Sequence, residues 1–436
     1  MNNLSVKTIL LLFLLFILSG CQPKVYLMPA PVGIVHNSQF FRLSMENIDE
    51  NLLYTLYATN RIPFSKNNDS TGYTIFPSDT LELGYLVHSV GEDGMSWREF
   101  YDESLNRDRK KELLLRQQFV KPMAKYHKDD DLAKASDKAT GFFYEVNKAL
   151  DQSYIKEITV YVHGANSNFY RATAQGAQLF HYTGHNALVL TFSWPSAENI
   201  LKYKVDVLHA KKTIPAFARL MEVLSLHTKA ERINIIAYSA GAQVVAPGLA
   251  YISEQYPELS AVEIKKHLRI GEVYFAAPDT AFKEFVERYL KFRDIVDRTT
   301  VILNANDRTL FLSEMQNGVS RLGRPDAREL DATEMQKIHE AMATPELNVI
   351  DAGGSKGLHV GGGHDFWYNN SWVSTDLLML LFFNAGPEER GLVADISRSG
   401  AELFYFPDNY HEIIPNLVQK QKEKVLRLRA ESEEQK

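Results

Sequence analysis

The chain has 436 residues, a net charge of −6 and 45% hydrophobic residues, so it is long enough to bury a large core. No stripe of Lys and Arg is interleaved with aromatic residues, and we therefore expect no nucleic-acid partner. The one cysteine excludes a disulfide framework. The scattered histidines give no metal-ligand spacing, so neither a metal nor another cofactor is expected.

Residues 1–20 have the pattern of a signal peptide. The apolar run Ile9–Leu18 is too short to span a bilayer and has the length of a signal-peptide core. It is followed by Ser19-Gly20-Cys21, which resembles the lipobox of a bacterial lipoprotein. Because Cys21 is the only cysteine, it is best explained as an acylation site that attaches the chain to a membrane. We expect a location in the bacterial cell envelope, and Gln22 is compatible with sorting to the outer membrane.

Four further regions are expected along the chain. Residues 21–45 form a lipidated, extended tether because their prolines discourage regular structure. Residues 46–385 form the main domain, which begins with strands at Leu52–Ala58 and Thr80–Val90. Within this domain the charge-rich segment 97–137 is predicted to be a helical insertion, either a solvated surface or a cap over the site. Residues 386–436 are expected to be a C-terminal extension with a charged tail.

From residue 158 onward, apolar strands alternate with helices. Six such strands are predicted, at 158–163, 187–193, 232–238, 269–276, 299–305 and 347–351. Repeated βα units predict a doubly wound, mostly parallel α/β sheet with helices on both faces.

The third of these strands ends at a serine between small residues, in Ala237-Tyr238-Ser239-Ala240-Gly241. A serine on a tight turn from strand to helix exposes its Oγ above the sheet, as a nucleophile requires. The alternative is a serine that caps an ordinary β-to-α turn.

Residues that could activate such a serine follow it in the chain. Asp307 ends a later strand, where sheet enzymes place functional groups, although Asn306-Asp307 is also good turn chemistry. Asp279 is the competing acid, or else a helix cap. A glycine-rich loop carries His364 back toward the sheet, and its rivals as the base are His359 and His339.

An earlier strand leads into His163-Gly164-Ala165-Asn166. Backbone N–H groups of Ala165 or Asn166, together with that of Ala240, could stabilise an oxyanion. His163, Trp194 and Tyr238 are candidates to line the pocket. For Trp194 the alternative is core packing, which is the more frequent role of a tryptophan.

Several separated motifs together resemble one group of α/β-hydrolase-type proteins of unknown function. They lie in one order between about residues 50 and 385: Tyr57-Ala58-Thr59-Asn60-Arg61, His163-Gly164-Ala165-Asn166, Phe192-Ser193-Trp194-Pro195, Ala237-Tyr238-Ser239-Ala240-Gly241, Ala276-Ala277-Pro278-Asp279, Asn306-Asp307 and Gly363-His364. The resemblance implies Ser239 as nucleophile, Asp307 as acid and His364 as base. Tyr238 departs from the histidine more common at that position.

The sequence thus favours a membrane-anchored serine hydrolase, with esterase or lipase activity as the leading subclass and amidase or thioesterase activity as alternatives that the sequence leaves open. Its substrate would be a small-molecule or lipid ester, and no protein partner is indicated. The alternative is a lipoprotein of the same fold with little or no activity, which binds or assembles envelope components.

Overall fold

The computed structural model describes residues 24–35, 51–66, 70–153, 155–198, 202–344, 346–396 and 402–434. The signal peptide and Cys21 lie outside these residues, so lipidation stays a prediction. Among the described residues, no helix is both long enough and apolar enough to cross a bilayer.

One sheet of eleven strands organises the described part of the chain. The strands are β1 (Leu52–Ser65), β2 (Thr71–Val90), β3 (Leu115–His127), β4 (Glu157–Val162), β5 (Leu188–Phe192), β6 (Arg232–Tyr238), β7 (Ile270–Ala276), β8 (Arg298–Leu303), β9 (Leu347–Asp351), β10 (Val393–Ile396) and β11 (Glu402–Tyr405). Their spatial order is β10-β11-β9-β8-β7-β6-β4-β5-β1-β2-β3. Every pair from β11 to β1 is parallel, whereas β1–β2, β2–β3 and β10–β11 are antiparallel.

Helices cover both faces of this sheet. They are α1 (Val32–Val35), α2 (Trp97–Leu105), α3 (Asp137–Gln152), α4 (Phe169–Tyr182), α5 (Tyr203–His227), α6 (Ala242–Glu254), α7 (Ala261–Leu268), α8 (Phe282–Phe292), α9 (Arg308–Asn317), α10 (Ala332–Met342), α11 (Phe366–Asn369), α12 (Ser371–Phe383) and α13 (Tyr410–Glu434). The predicted doubly wound, mostly parallel architecture is therefore confirmed.

Successive residues of the central strands alternate between two apolar cores. In β6, Ile235 belongs to a core with helices α5, α6 and α8, whereas Ile236 belongs to a core with α4 and α12. This alternation follows from the two-residue period of a strand. Both cores are deeply buried, so the sheet is rigid where its carboxyl edge carries the site.

The segment 97–137 is only partly helical, contrary to the prediction. Helix α2 ends at Leu105, and Leu115–His127 is a strand that pairs antiparallel with β2 at the edge of the sheet. Leu115, Val120, Ala124 and Tyr126 are buried, whereas Lys121 and Lys125 between them are exposed. The burial of apolar side chains on one face of β3, and not the charge content of the segment, determines its structure.

The described part of the expected extended tether, residues 24–35, packs against the domain. Val25, Leu27 and Met28 are buried. The Leu27 N–H donates to Leu113 O (2.8 Å), and the Leu115 N–H donates to Val25 O (2.9 Å). Prolines exclude a helix but permit an extended chain that uses its apolar side chains for packing.

The C-terminal extension also belongs to the folded domain. Strand β11 pairs with β9 through Phe404 and Ile350. Helix α13 buries Tyr410, Ile414 and Val418 in the core that also contains α12.

Candidate active site

Ser239 lies on a strained turn between β6 and α6. Its φ of 53° is in the left-handed region, which a residue with a side chain adopts at a cost of roughly 1–3 kcal/mol. A short 3₁₀ turn, Ser239–Gly241, separates the strand from the helix. This conformation is the sharp elbow that the sequence pattern predicts, and it aims the side chain away from the sheet.

Two glycines permit the elbow to approach the loop after β4. A Cβ at Gly164 would lie 2.8 Å from Ser239 Cβ, and a Cβ at Gly241 would lie 2.6 Å from Val162 O. Neither distance is sterically possible without movement of the backbone. The small residues of both motifs are therefore required by this close contact.

His364 joins Ser239 to Asp307. Its Nε2 is 2.7 Å from Ser239 Oγ, and its Nδ1 is 2.7 Å from Asp307 Oδ2. The contacts fit a neutral imidazole that donates from Nδ1 to the carboxylate and accepts the serine hydroxyl proton at Nε2. The side chain of Asp307 is fully buried and that of His364 is 12% exposed.

Asp307 has a second function in the fold. It is the N-cap of α9, because its Oδ1 accepts the Leu310 N–H at 2.9 Å while Oδ2 faces His364. The turn chemistry and the pairing with histidine, weighed as alternatives from the sequence, are thus both present. Having one oxygen occupied by the helix fixes the carboxylate orientation toward the imidazole.

Asn304 positions the glycine-rich loop before His364, and the sequence did not single it out. It is buried, and its Nδ2 donates to Gly361 O (3.0 Å) and Gly363 O (3.1 Å). The Arg308 N–H also donates to Gly362 O (3.2 Å). The available signal was an asparagine at the end of a strand, three residues before the candidate acid.

Asp279 does not contact His364. Its Oδ1 accepts hydrogen bonds from Arg321 Nε (2.6 Å) and Ser313 Oγ (2.7 Å), and both charged side chains are 5% exposed. Its backbone N–H donates to Ser239 O at 2.9 Å. Asp279 therefore supports the turn at the serine through its backbone and pairs its carboxylate elsewhere. The rival His339 has another environment, because its Nδ1 contacts Met335 O on α10.

One of the two candidate amides after β4 is already engaged. The Asn166 N–H donates to Asp206 Oδ2 at 3.2 Å, so it is not free for an oxyanion. This leaves the amides of Ala165 and Ala240 as the candidate oxyanion donors. The inclusion of Asn166 among the predicted donors is therefore corrected. Burial raises the pKa of Asp206 to about 6, opposed by hydrogen bonds from the Ala197 and Asn166 N–H groups.

Arg61 holds the same loop from β1. It is fully buried, and it donates to Ser167 O (2.9 Å), Ser193 Oγ (3.1 Å) and Thr74 O (3.2 Å). Burial lowers its pKa to about 9, opposed by the charges of Glu198 and Asp206. The Arg of the Tyr57–Arg61 motif thus fixes the loops after β4 and β5.

His163 and Trp194 are buried structural residues rather than pocket residues. This corrects the candidate role of His163 and favours the core-packing alternative for Trp194. Both are fully buried, and their rings stack with centroids 5.3 Å apart. Trp194 Nε1 donates to His163 O at 2.6 Å. Burial lowers the pKa of His163 to about 3, so the ring is neutral at pH 7 and donates to only one of its two carbonyl neighbours, Gly164 O and Trp194 O.

Tyr238 contacts the base. Its ring centroid is 5.4 Å from that of His364, and it also packs against Trp367 and Tyr368. The aromatic wall limits the movement of the imidazole, so Tyr238 belongs to the surroundings of the site.

The fold and this arrangement define an α/β hydrolase-type protein with a serine, a histidine and an aspartate at the carboxyl edge of its sheet. A family model described as an alpha/beta hydrolase of unknown function (DUF900) matches residues 138–362. The match covers just over half of the chain, and the chain belongs to this family, as the sequence motifs indicated. The comparison with curated proteins gave no match.

Proposed function

We propose that the protein is a serine hydrolase that cleaves an ester or a related acyl bond. The observation that carries this proposal is the contact of one imidazole with both Ser239 Oγ and Asp307 Oδ2, each at 2.7 Å. The strained backbone of Ser239 and membership of a hydrolase family support it.

The mechanism has two steps. His364 takes the proton of the Ser239 hydroxyl as the oxygen attacks the acyl carbonyl, and Asp307 stabilises the imidazolium and its tautomer. Backbone N–H groups of Ala165 and Ala240 donate to the oxyanion. The imidazolium then protonates the leaving alcohol, and water releases the acyl group by the same route. Each oxyanion donor contributes on the order of 3 kcal/mol to catalysis.

We further propose that lipidated Cys21 holds the enzyme at the bacterial envelope, with the outer membrane as the preferred location. Lys24 is the first described residue, and Val25 is already buried in the domain. The four residue steps from Cys21 to Val25 span at most about 14 Å. The anchor would keep the hydrolase at the membrane surface, where lipid esters and small amphipathic esters are its natural substrate class.

Burst kinetics with p-nitrophenyl acetate and butyrate test the hydrolase proposal. The full chain, assayed in membranes, should release a burst of nitrophenol equal to the enzyme concentration and then turn over slowly, because an acyl-enzyme accumulates. Ser239→Ala should show no burst. Ser253→Ala is the matched control, because its hydroxyl only bonds Ala250 O within α6, and it should behave as the unchanged chain. A burst that persists in Ser239→Ala as it does in Ser253→Ala would contradict the proposal.

A further inference from the structure

An apolar cavity lies between the sheet and helices α8 and α10. It is beside β8, the strand that precedes Asp307. Its volume is about 300 Å³. The walls are the faces of β8 and β9, helices α8 and α10, and the loop between α9 and α10. Phe285, Leu322, Ile338, Ala341 and Val349 are representative of its lining, in which the ionisable side chains are Tyr289, His339 and Asp351.

The cavity reaches the edge of the sheet that carries the triad. Ala305 lines it and is solvent-exposed, and this residue is two positions before Asp307 in the same loop. The Asp307 carboxylate is in turn separated from Ser239 Oγ by a single imidazole. A ligand that enters beside Ala305 therefore lies at the same edge of the sheet as the serine, with one strand, β7, between β8 and β6.

A second wall links the cavity to the serine turn. Leu322 lines the cavity, and the N–H of the next residue, Gly323, donates to Pro278 O at 2.9 Å. Asp279 follows in the chain, and its N–H donates to Ser239 O. The loop that encloses the cavity is thus hydrogen-bonded to the segment that supports the nucleophile.

Size and polarity indicate the kind of ligand. An apolar cavity of about 150 Å³ stays dry and accepts benzene, so one of about 300 Å³ accommodates on the order of ten carbons. Asp351 lines the cavity and accepts the Gly354 N–H at 2.8 Å, and burial raises the pKa of its carboxyl group.

We propose that this cavity binds the acyl chain of the ester that Ser239 cleaves, an inference that rests on the proposed function. The substrate class is then a neutral ester with a medium-length alkyl chain of roughly eight to twelve carbons.

Two alkyl fluorophosphonates, one with an ethyl and one with a decyl chain on phosphorus, test the inference on the full chain in isolated membranes. Ser239 Oγ would bond to phosphorus as fluoride leaves, and the serine proton would pass to His364. The decyl probe should label at least about tenfold faster than the ethyl probe. Ala341→Phe, which fills the cavity from α10, should reduce the decyl rate to that of the ethyl probe and change the ethyl rate less than about twofold.

Ala332→Phe is the matched control, because it adds the same side chain to an exposed position of α10 that does not line the cavity. It should keep the preference for the decyl probe. Val349→Phe fills the cavity from the opposite wall and replaces Ala341→Phe should that variant not fold. Equal labelling by the two probes in the unchanged chain, or a decyl preference that survives both filling variants, would overturn the inference while the proposed function stands.

A photoreactive decyl ester provides a readout that does not need Ser239. With the Ser239→Ala chain, a diazirine at the end of the decyl chain should cross-link to peptides from α8 or α10, and Ala341→Phe should abolish these cross-links. Cross-links only to other segments or to lipid would overturn the cavity assignment. If neither fluorophosphonate labels the chain but the cavity cross-links persist, the proposed function fails and the binding site remains.

Discussion

Two carboxylates follow neighbouring strands of the sheet, and both lie beside the same serine turn. Asp279 comes after β7 and Asp307 after β8. Asp307 contacts His364, whereas Asp279 forms a buried ion pair with Arg321. Position at the carboxyl edge of a sheet is therefore not enough to pair a carboxylate with the histidine, because the residues around each carboxylate decide its partner.

Replacement of the acid should have the largest effect. Asp307→Asn keeps the shape of the side chain but removes the charge that orients the imidazole and stabilises its cation. We expect hydrolysis of p-nitrophenyl butyrate to fall about 10⁴-fold, a cost typical of a wrong histidine tautomer. If the hydrolysis rate of the folded Asp307→Asn variant fell less than tenfold, Asp307 would differ no more from Asp279 in its effect on the chemistry than in its position.

Asp279→Asn should affect stability rather than chemistry. It leaves the Arg321 guanidinium buried without its partner, at a cost of about 3–5 kcal/mol in the free energy of unfolding. Denaturant unfolding measures this loss, and the folded fraction should retain its hydrolysis rate within about fivefold.

The double variant Asp279→Leu with Arg321→Met is the control for this prediction. It removes both charges and should recover most of the lost stability. If the double variant is no more stable than Asp279→Asn, the ion pair is not the cause of the loss.

Two histidines also differ in their partners, as the two carboxylates do. His364 has a carboxylate partner, whereas His88 is fully buried and contacts Thr173 Oγ1 at 3.4 Å. Burial lowers the pKa of His88 to about 3. The folded chain keeps this ring neutral, while the unfolded chain binds a proton below about pH 6.5, so its contribution to stability is lost as the pH falls.

His88→Gln should therefore reduce the acid sensitivity of the fold. Between pH 7.5 and 5, the unchanged chain should lose about 2 kcal/mol more unfolding free energy than the variant does, since the other groups titrate in both chains. Denaturant unfolding at the two pH values gives the difference. Parallel pH dependences would contradict this, because they would show that His88 binds its proton equally well in the folded and unfolded chains.

Ser313→Ala should have the smallest effect of these substitutions, and it tests whether Asp279 acts on stability alone. It removes one hydrogen bond to Asp279 Oδ1 but leaves Arg321 on the same oxygen. We expect a loss of about 1.5 kcal/mol in unfolding free energy and an unchanged hydrolysis rate. A large fall in the hydrolysis rate would mean that Asp279 also acts on the chemistry.

The central part of the fold could be predicted because its strands and helices alternate with strong apolar periods. Strand β3 was missed because its buried residues are interleaved with charges, so that composition resembled a solvated helix. The docking of Val25–Met28 was also missed, since prolines hide the packing of an extended segment. These features depend on contacts with distant parts of the chain.

In the candidate site, the order of the motifs pointed to Ser239, Asp307 and His364, which the structure brings into contact. Sequence could not separate Asp307 from Asp279 by residue type, because only the folded chain gives each its partner. Asn304 and Asp206 act through hydrogen bonds to loops far away in the chain. Such contacts leave no local pattern.

The activation of Ser239 is tested most directly by mapping the covalent adduct of a short fluorophosphonate by peptide mass spectrometry on the full chain. We expect one adduct, on Ser239, which is absent in Ser239→Ala and His364→Ala. Asp279→Asn should keep the adduct. An adduct on another residue, or no adduct on a chain shown to be folded, would contradict the claim that His364 and Asp307 activate this serine.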